Sequence, residues 1–80
     1  MSRFFFDTDD GELLLRDPEG QDLPDAEAAR QLALTALRDM AVEALPDGDR
    51  RVFAVNVRDE RDRMIYKAEF ELRGQWLRAA

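Results

Sequence analysis

Asp7, Asp9, Asp10 and Glu12 place four carboxylates within six residues, with Gly11 among them. Clustered carboxylates on a tight turn are what a hard divalent cation needs, so the first chemistry to weigh is Ca²⁺ or Mg²⁺ binding. A calcium loop of the EF-hand kind requires oxygen ligands at positions 1, 3 and 5, glycine at 6 and a bidentate glutamate at 12. Counted from Asp7, Gly11 already stands at position 5, Leu14 at 8 and Pro18 at 12, so the spacing is wrong. A two-carboxylate Mg²⁺ site of the nuclease type would pair Asp7 with an acid from elsewhere in the fold, Asp17 or Glu43. The competing reading is a hairpin turn with a charged strand end. It carries more weight, because Asp-Gly is a strong turn signal and glycine takes positive φ at little cost.

Other site chemistry is limited by what the chain lacks. It contains no cysteine and no histidine, one serine (Ser2) and two threonines (Thr8 and Thr35). Disulfides, zinc knuckles and thiol catalysis are thereby excluded, and so is the usual base of a nucleophilic triad. A glycosidase-like pair of acids needs a cleft between them, for which an 80-residue chain has little room. The expectation is therefore a protein that is not an enzyme and uses no cofactor. Arg50, Arg51, Arg58, Arg61, Arg63 and Lys67 form the only basic concentration. Residues 1–49 hold thirteen acids and four bases, whereas residues 50–80 hold five acids and eight bases. An RNA-binding use of the 50–67 segment stands as the alternative reading. The net charge of −6 weighs against it, and ion pairing with the acidic half explains the same residues.

These residues must be positioned by a small number of elements. Arg3 to Asp7 and Glu12 to Arg16 are short apolar runs bounded by charges and read as two strands around the Thr8-Asp9-Asp10-Gly11 turn. Asp17-Pro18-Glu19-Gly20 has proline and glycine where a type I turn favours them, so the second strand stops there. Asp25 is a good helix N-cap, and Glu27 suits the first turn. From about residue 25 to 45, Ala26, Ala29, Ala33, Ala36, Leu37, Met40 and Ala44 lie in one arc, with Gln31, Thr35, Arg38 and Asp39 opposite. Pro46-Asp47-Gly48-Asp49 ends this helix. Arg51 to Arg58 alternates with Phe53, Val55 and Val57 on one face, and residues 64–72 alternate again after the polar loop Asp59 to Arg63. The expected fold is α+β, in the order strand, strand, helix, strand, strand, with one helix on one face of a small antiparallel sheet. Residues 1–73 form a single domain in this reading, and residues 74–80 a flexible or docking tail.

The apolar pattern supplies the most specific functional expectation. Phe4-Phe5-Phe6 and Leu13-Leu14-Leu15 put large side chains on both faces of their strands, and one helix covers only one face. If the helix lies over Phe53, Val55 and Val57, the opposite face gathers an apolar residue from each early strand with Val52, Ala54 and Ile65. Phe4, Phe5, Phe6, Leu14, Val52, Ala54, Ile65 and Trp76 are therefore the candidate partner-binding residues, and a homodimer or another protein is the expected partner. Trp76 and Leu77 folding back over that face is the competing arrangement. No apolar run approaches the roughly 20 residues of a membrane span, and Met1 to Phe6 is too short for a signal segment. The expected location is the cytoplasm.

Arg3-Phe4-Phe5-Phe6-Asp7, Asp10-Gly11, Glu19-Gly20, Leu23-Pro24-Asp25 with Glu27-Ala28-Ala29, and Val55-Asn56-Val57-Arg58-Asp59 together resemble a family of short alphaproteobacterial proteins, frequent in rhizobia, classed as a domain of unknown function. The resemblance runs to about Phe70 and implies no activity, ligand or catalytic residue. Relatives usually place a glycine in the hairpin turn that here reads Glu60-Arg61-Asp62-Arg63. In outline the element order is also similar to HicB-type antitoxins, a topological likeness only.

Overall fold

The computed structural model describes residues 1–43 and 48–79. Its elements are β1 (Ser2–Asp9), β2 (Leu14–Leu15), β3 (Gln21–Leu23), α1 (Ala26–Glu43), β4 (Arg50–Arg58) and β5 (Met64–Arg73). The sheet is antiparallel in the order β2-β1-β4-β5, and β3 also pairs with β1. This is the expected α+β class with a single helix, extended by one strand that the residue pattern did not announce.

Two early boundaries differ from expectation for local reasons. The second strand shrinks to Leu14 and Leu15 because side chains take over its first backbone donors. Asp10 Oδ1 accepts the N–H groups of Glu12 and Leu13 at 2.9 and 2.8 Å, and Asp9 Oδ1 accepts that of Gly11 at 2.8 Å. Leu13 thus belongs to the turn. Conversely, β1 runs the full length Ser2–Asp9, since β3 pairs with Ser2, Arg3 and Phe4 while β2 pairs with Thr8 and Asp9.

Helix α1 starts as its cap predicts, with Asp25 Oδ1 accepting the Ala28 N–H at 2.9 Å. Ala29, Ala33 and Leu37 are buried against Phe53, Val55 and Val57, so the helix covers the strand face assigned to it. Ala36 and Met40 pack at the margin, as do Leu34 and Ala41, which the arc did not include. Ala26 is exposed at the helix start rather than in the stripe. Ala44 and the expected breakers Pro46 and Asp47 lie outside the described residues. The buried cluster is Phe4, Ala29, Ala33, Leu37, Phe53, Val55, Val57 and Ala68, with three alanines among its eight members. Small side chains bring helix and sheet close together but bury little apolar area, which limits what this core contributes to stability.

The β4–β5 ladder pairs Phe53 with Phe70, Val55 with Ala68 and Val57 with Tyr66, then slips so that Arg58 faces Met64 and Ile65 is left in a bulge. In the connecting turn Asp62 adopts φ of 62°. This is the left-handed conformation that favours glycine, and aspartate is among the few other residues that tolerate it. Strand β5 pairs with β4 alone, so its outer edge meets no strand among the described residues.

Candidate functional site

Strand parity divides the apolar triplets between two surroundings. Phe4 and Phe6 point to the helix side: Phe4 is buried in the core, and Phe6 packs against it next to Val57. Neither belongs on an exposed sheet face, which corrects the expectation for both. Phe5, Asp7, Val52, Ala54, Asn56 and Arg58 share the opposite face. That face is not an apolar patch, because its centre is a buried ion pair.

Arg58 Nε donates to Asp7 Oδ2 at 2.7 Å and Nη2 donates to Asp7 Oδ1 at 3.1 Å, a bidentate arrangement. Both side chains are about nine-tenths buried, with 9% and 10% of their surface exposed. The same guanidinium donates to the Asp17 carbonyl oxygen at 3.0 Å and to Asp62 Oδ1 at 2.8 Å, and lies 4.9 Å from the Phe5 ring centroid. Arg16 reaches the same Asp62 oxygen at 2.8 Å. Asp17 finishes the network: its N–H donates to Asp7 Oδ1 at 2.9 Å, and its carboxylate accepts from the N–H groups of Phe6, Glu19 and Gly20 at 3.1 Å each. A side chain thereby satisfies a β1 donor in the interval between the β2 and β3 pairings. No buried side-chain nitrogen or oxygen among the described residues lacks a partner.

The electrostatics follow from these contacts. Hydrogen bonds from Arg58, opposed by desolvation and aided by the Asp17 N–H, hold the Asp7 carboxyl below its ordinary range. For Asp17, burial pushes upward but is outweighed by the three backbone donors, so the net shift is also downward. Asp7 pushes Arg58 further above its already high range.

This geometry answers the question raised by the acids. Asp17 does sit beside Asp7, but both Asp7 oxygens are occupied by guanidinium donors and a backbone N–H. Glu43 lines a small groove with Thr8 and Leu15 on the other side of the sheet. Asp9 and Asp10 each commit one carboxylate oxygen to the turn. No group of three potential ligand residues is assembled among the described residues. Four of the six residues of the basic segment are similarly engaged, while Arg50 and Arg61 are exposed. Arg58 is buried, Arg63 pairs with Asp59 at 2.8 Å, Lys67 approaches Glu69 at 3.8 Å, and Arg51 lies 3.8 Å from Asp10 and 4.0 Å from Glu12.

Of the remaining expected residues, Val52 is half-buried and Ala54 buried at 6% exposure. Leu14, Ile65 and Trp76 are exposed, in separate places: the β1–β2 hairpin, the β5 bulge and the segment after β5. Trp76 and Leu77 do not cover the sheet face, being 78% and 88% exposed. A larger apolar concavity lies elsewhere among the described residues. Leu34, Leu37, Ala41, Val42 and Phe70 line an open groove of about 700 Å³ between α1 and β5, with Arg38 and Glu69 as its charged members. Val42 and Phe70 are 73% and 46% exposed there. The alternation of β5 contained the signal for this site, because Phe70 falls on the helix face at a strand edge that no further strand among the described residues covers.

A family model described as a domain of unknown function, DUF6894, matches residues 3–71. No curated protein and no solved structure matches the chain. Among the described residues no helix is long and apolar enough to cross a membrane.

Proposed function

The chain belongs to the DUF6894 domain family, and from its own surface we propose that it is a non-catalytic cytoplasmic module that binds protein by accepting an extended segment along β5. One observation carries this reading. The open edge of β5 lies directly against the apolar α1–β5 groove, so unpaired backbone groups and exposed apolar side chains occur side by side. Strand addition uses these two features together: main-chain hydrogen bonds give affinity, and alternate side chains enter the groove. In support, Asp7, Asp17, Arg51, Arg58 and Arg63, which could serve catalysis, cation binding or nucleic-acid contact, are paired with one another, with neighbouring acids or with the turns.

Selection from a random-peptide display library tests the proposal. Selected peptides are expected to shift the backbone amide resonances of residues 66–73. Phe70→Asp and the more exposed Val42→Asp should each weaken binding by about 2 kcal/mol, roughly thirtyfold. Val42→Asp separates lost binding from lost folding, since Val42 lies outside the buried cluster. Failure to enrich any peptide on protein kept monomeric, or enrichment of peptides that map to Trp76 or Leu14, would overturn the assignment.

A further inference from the structure

We propose that the segment accepted by β5 is the β5 strand of a second copy, paired antiparallel about Ala68; this rests on the strand-addition reading above. A twofold axis perpendicular to the sheet relates two such strands, keeps both helices on one face and sets residues of equal parity opposite each other. Centred on Ala68, the register sets Lys67 of each chain opposite Glu69 of the other. It also sets Tyr66 opposite Phe70 on the helix side.

Both sets of contacts are favourable cross-strand pairs, the first ionic and the second aromatic. Neighbouring registers are worse. Centring on Glu69 sets that carboxylate against its own copy, and centring on Phe70 sets Lys67 against Arg73 and Glu69 against Glu71. Centring on Lys67 sets that ammonium against itself. Self-complementary charge thus selects one register out of four. Lys67 and Glu69 already lie 3.8 Å apart within one chain and are about half exposed, so the pair becomes an alternating group of four charges across the axis.

The inner side of the strand suits the same arrangement. Ala68 is small and buried beneath α1, so the two strands meet where no bulky side chain stands between the helices. The two α1–β5 grooves then open toward each other, and Leu34, Val42 and Phe70 of one copy supply apolar cover for those of the other. A core in which three of eight buried residues are alanine gains from that added burial. Pairing also removes a free strand edge, a standing liability for uncontrolled association.

Charge reversal at the two exposed positions provides the test, read as mass by sedimentation velocity across the micromolar range with circular dichroism to verify folding. The wild type is expected to be a dimer. Lys67→Glu and Glu69→Lys should each be monomeric, because one sets four carboxylates together and the other four ammonium groups. Mixed in equal amounts, the two variants should recover the dimer as a heterodimer, since both carboxylates of the first variant then face the two ammonium groups of the second. A monomeric wild type overturns self-pairing, as do a dimer indifferent to both substitutions and a mixture that stays monomeric. If that monomer still binds selected peptides along β5, strand addition survives and only the second copy is wrong; if it binds none there, both fail.

Discussion

Replacing Asp7 with asparagine should destabilise this domain far more than removal of any other acid. The substitution leaves the Arg58 guanidinium in place, about nine-tenths buried, without the carboxylate that takes two of its hydrogen bonds at 2.7 and 3.1 Å. Breaking a buried pair by removing one partner costs about 3–5 kcal/mol, because the remaining charge is desolvated; here Arg58 would keep only the exposed Asp62 carboxylate at 2.8 Å and the Asp17 carbonyl oxygen. An 80-residue domain has roughly 4–12 kcal/mol in total. At about 4–8 °C per kcal/mol for a domain of this size, the melting temperature should fall by roughly 12–40 °C. Urea unfolding followed by the circular dichroism of α1 is the suitable assay, since Trp76 is exposed outside the core. Replacing both partners, as in Asp7→Leu with Arg58→Met, should cost less than either single change and so expose the coupling. The pH dependence has a fixed sign. Asp7 titrates below its ordinary value of 3.8 when folded, so in acid the unfolded chain binds the extra proton. The stabilisation is complete above the unfolded value and is lost as pH falls through the lower folded value; Asp7→Asn should flatten that part of the curve. A variant within about 1 kcal/mol of wild type at neutral pH, the range of a solvent-exposed pair, would refute this reasoning.

Two backbone predictions accompany it. Gly20 has φ of 72°, and an added Cβ would lie 2.8 Å from the Phe4 carbonyl oxygen and 2.9 Å from the Phe5 ring. Gly20→Ala should therefore cost roughly 1–3 kcal/mol in urea unfolding, and a neutral result would mean that the β1–β3 junction is looser than the contacts imply. At Asp62, alanine and glycine both remove the carboxylate that meets Arg58 and Arg16, so comparing them isolates the backbone. With φ of 62° at this position, Asp62→Gly should be more stable than Asp62→Ala. A difference of about 1 kcal/mol is expected, and equal stabilities would count against a left-handed turn residue.

Much of the fold could be read from residue order. The Asp25 cap, the alanine-rich stripe of α1 and the alternation of β4 and β5 each follow from one local rule, and all three hold. What could not be read is where side chains replaced backbone partners. Asp10 shortens β2 by taking the N–H groups of Glu12 and Leu13, and Asp17 takes the Phe6 N–H between two strand pairings. Gln21-Asp22-Leu23 has too few residues to show a period, yet it pairs with Ser2, Arg3 and Phe4. The ion pair did leave a trace. Arg58 shares parity with Val52 and Ala54 and so stands on a face otherwise read as apolar, which calls for an acid at matching parity on β1. Asp7 is that acid.

That pair also changes which surface can bear the proposed binding. An apolar face opposite the helix would have made the whole sheet adhesive, with nothing to fix orientation or register. Arg58, Asp7 and Asp17 instead seal its centre with satisfied polar groups, and Lys67, Glu69 and Glu71 keep the outer strand charged on that side. Among the described residues, exposed apolar side chains then meet an open strand edge at β5, where Phe70 and Val42 flank a groove. An edge differs from a face because its hydrogen bonds demand a register, and alternating charges can choose among registers. Lys67 and Glu69 on one strand make that choice self-complementary, so in the proposed self-pairing the residues that restrain indiscriminate edge association are also those that select the identical chain.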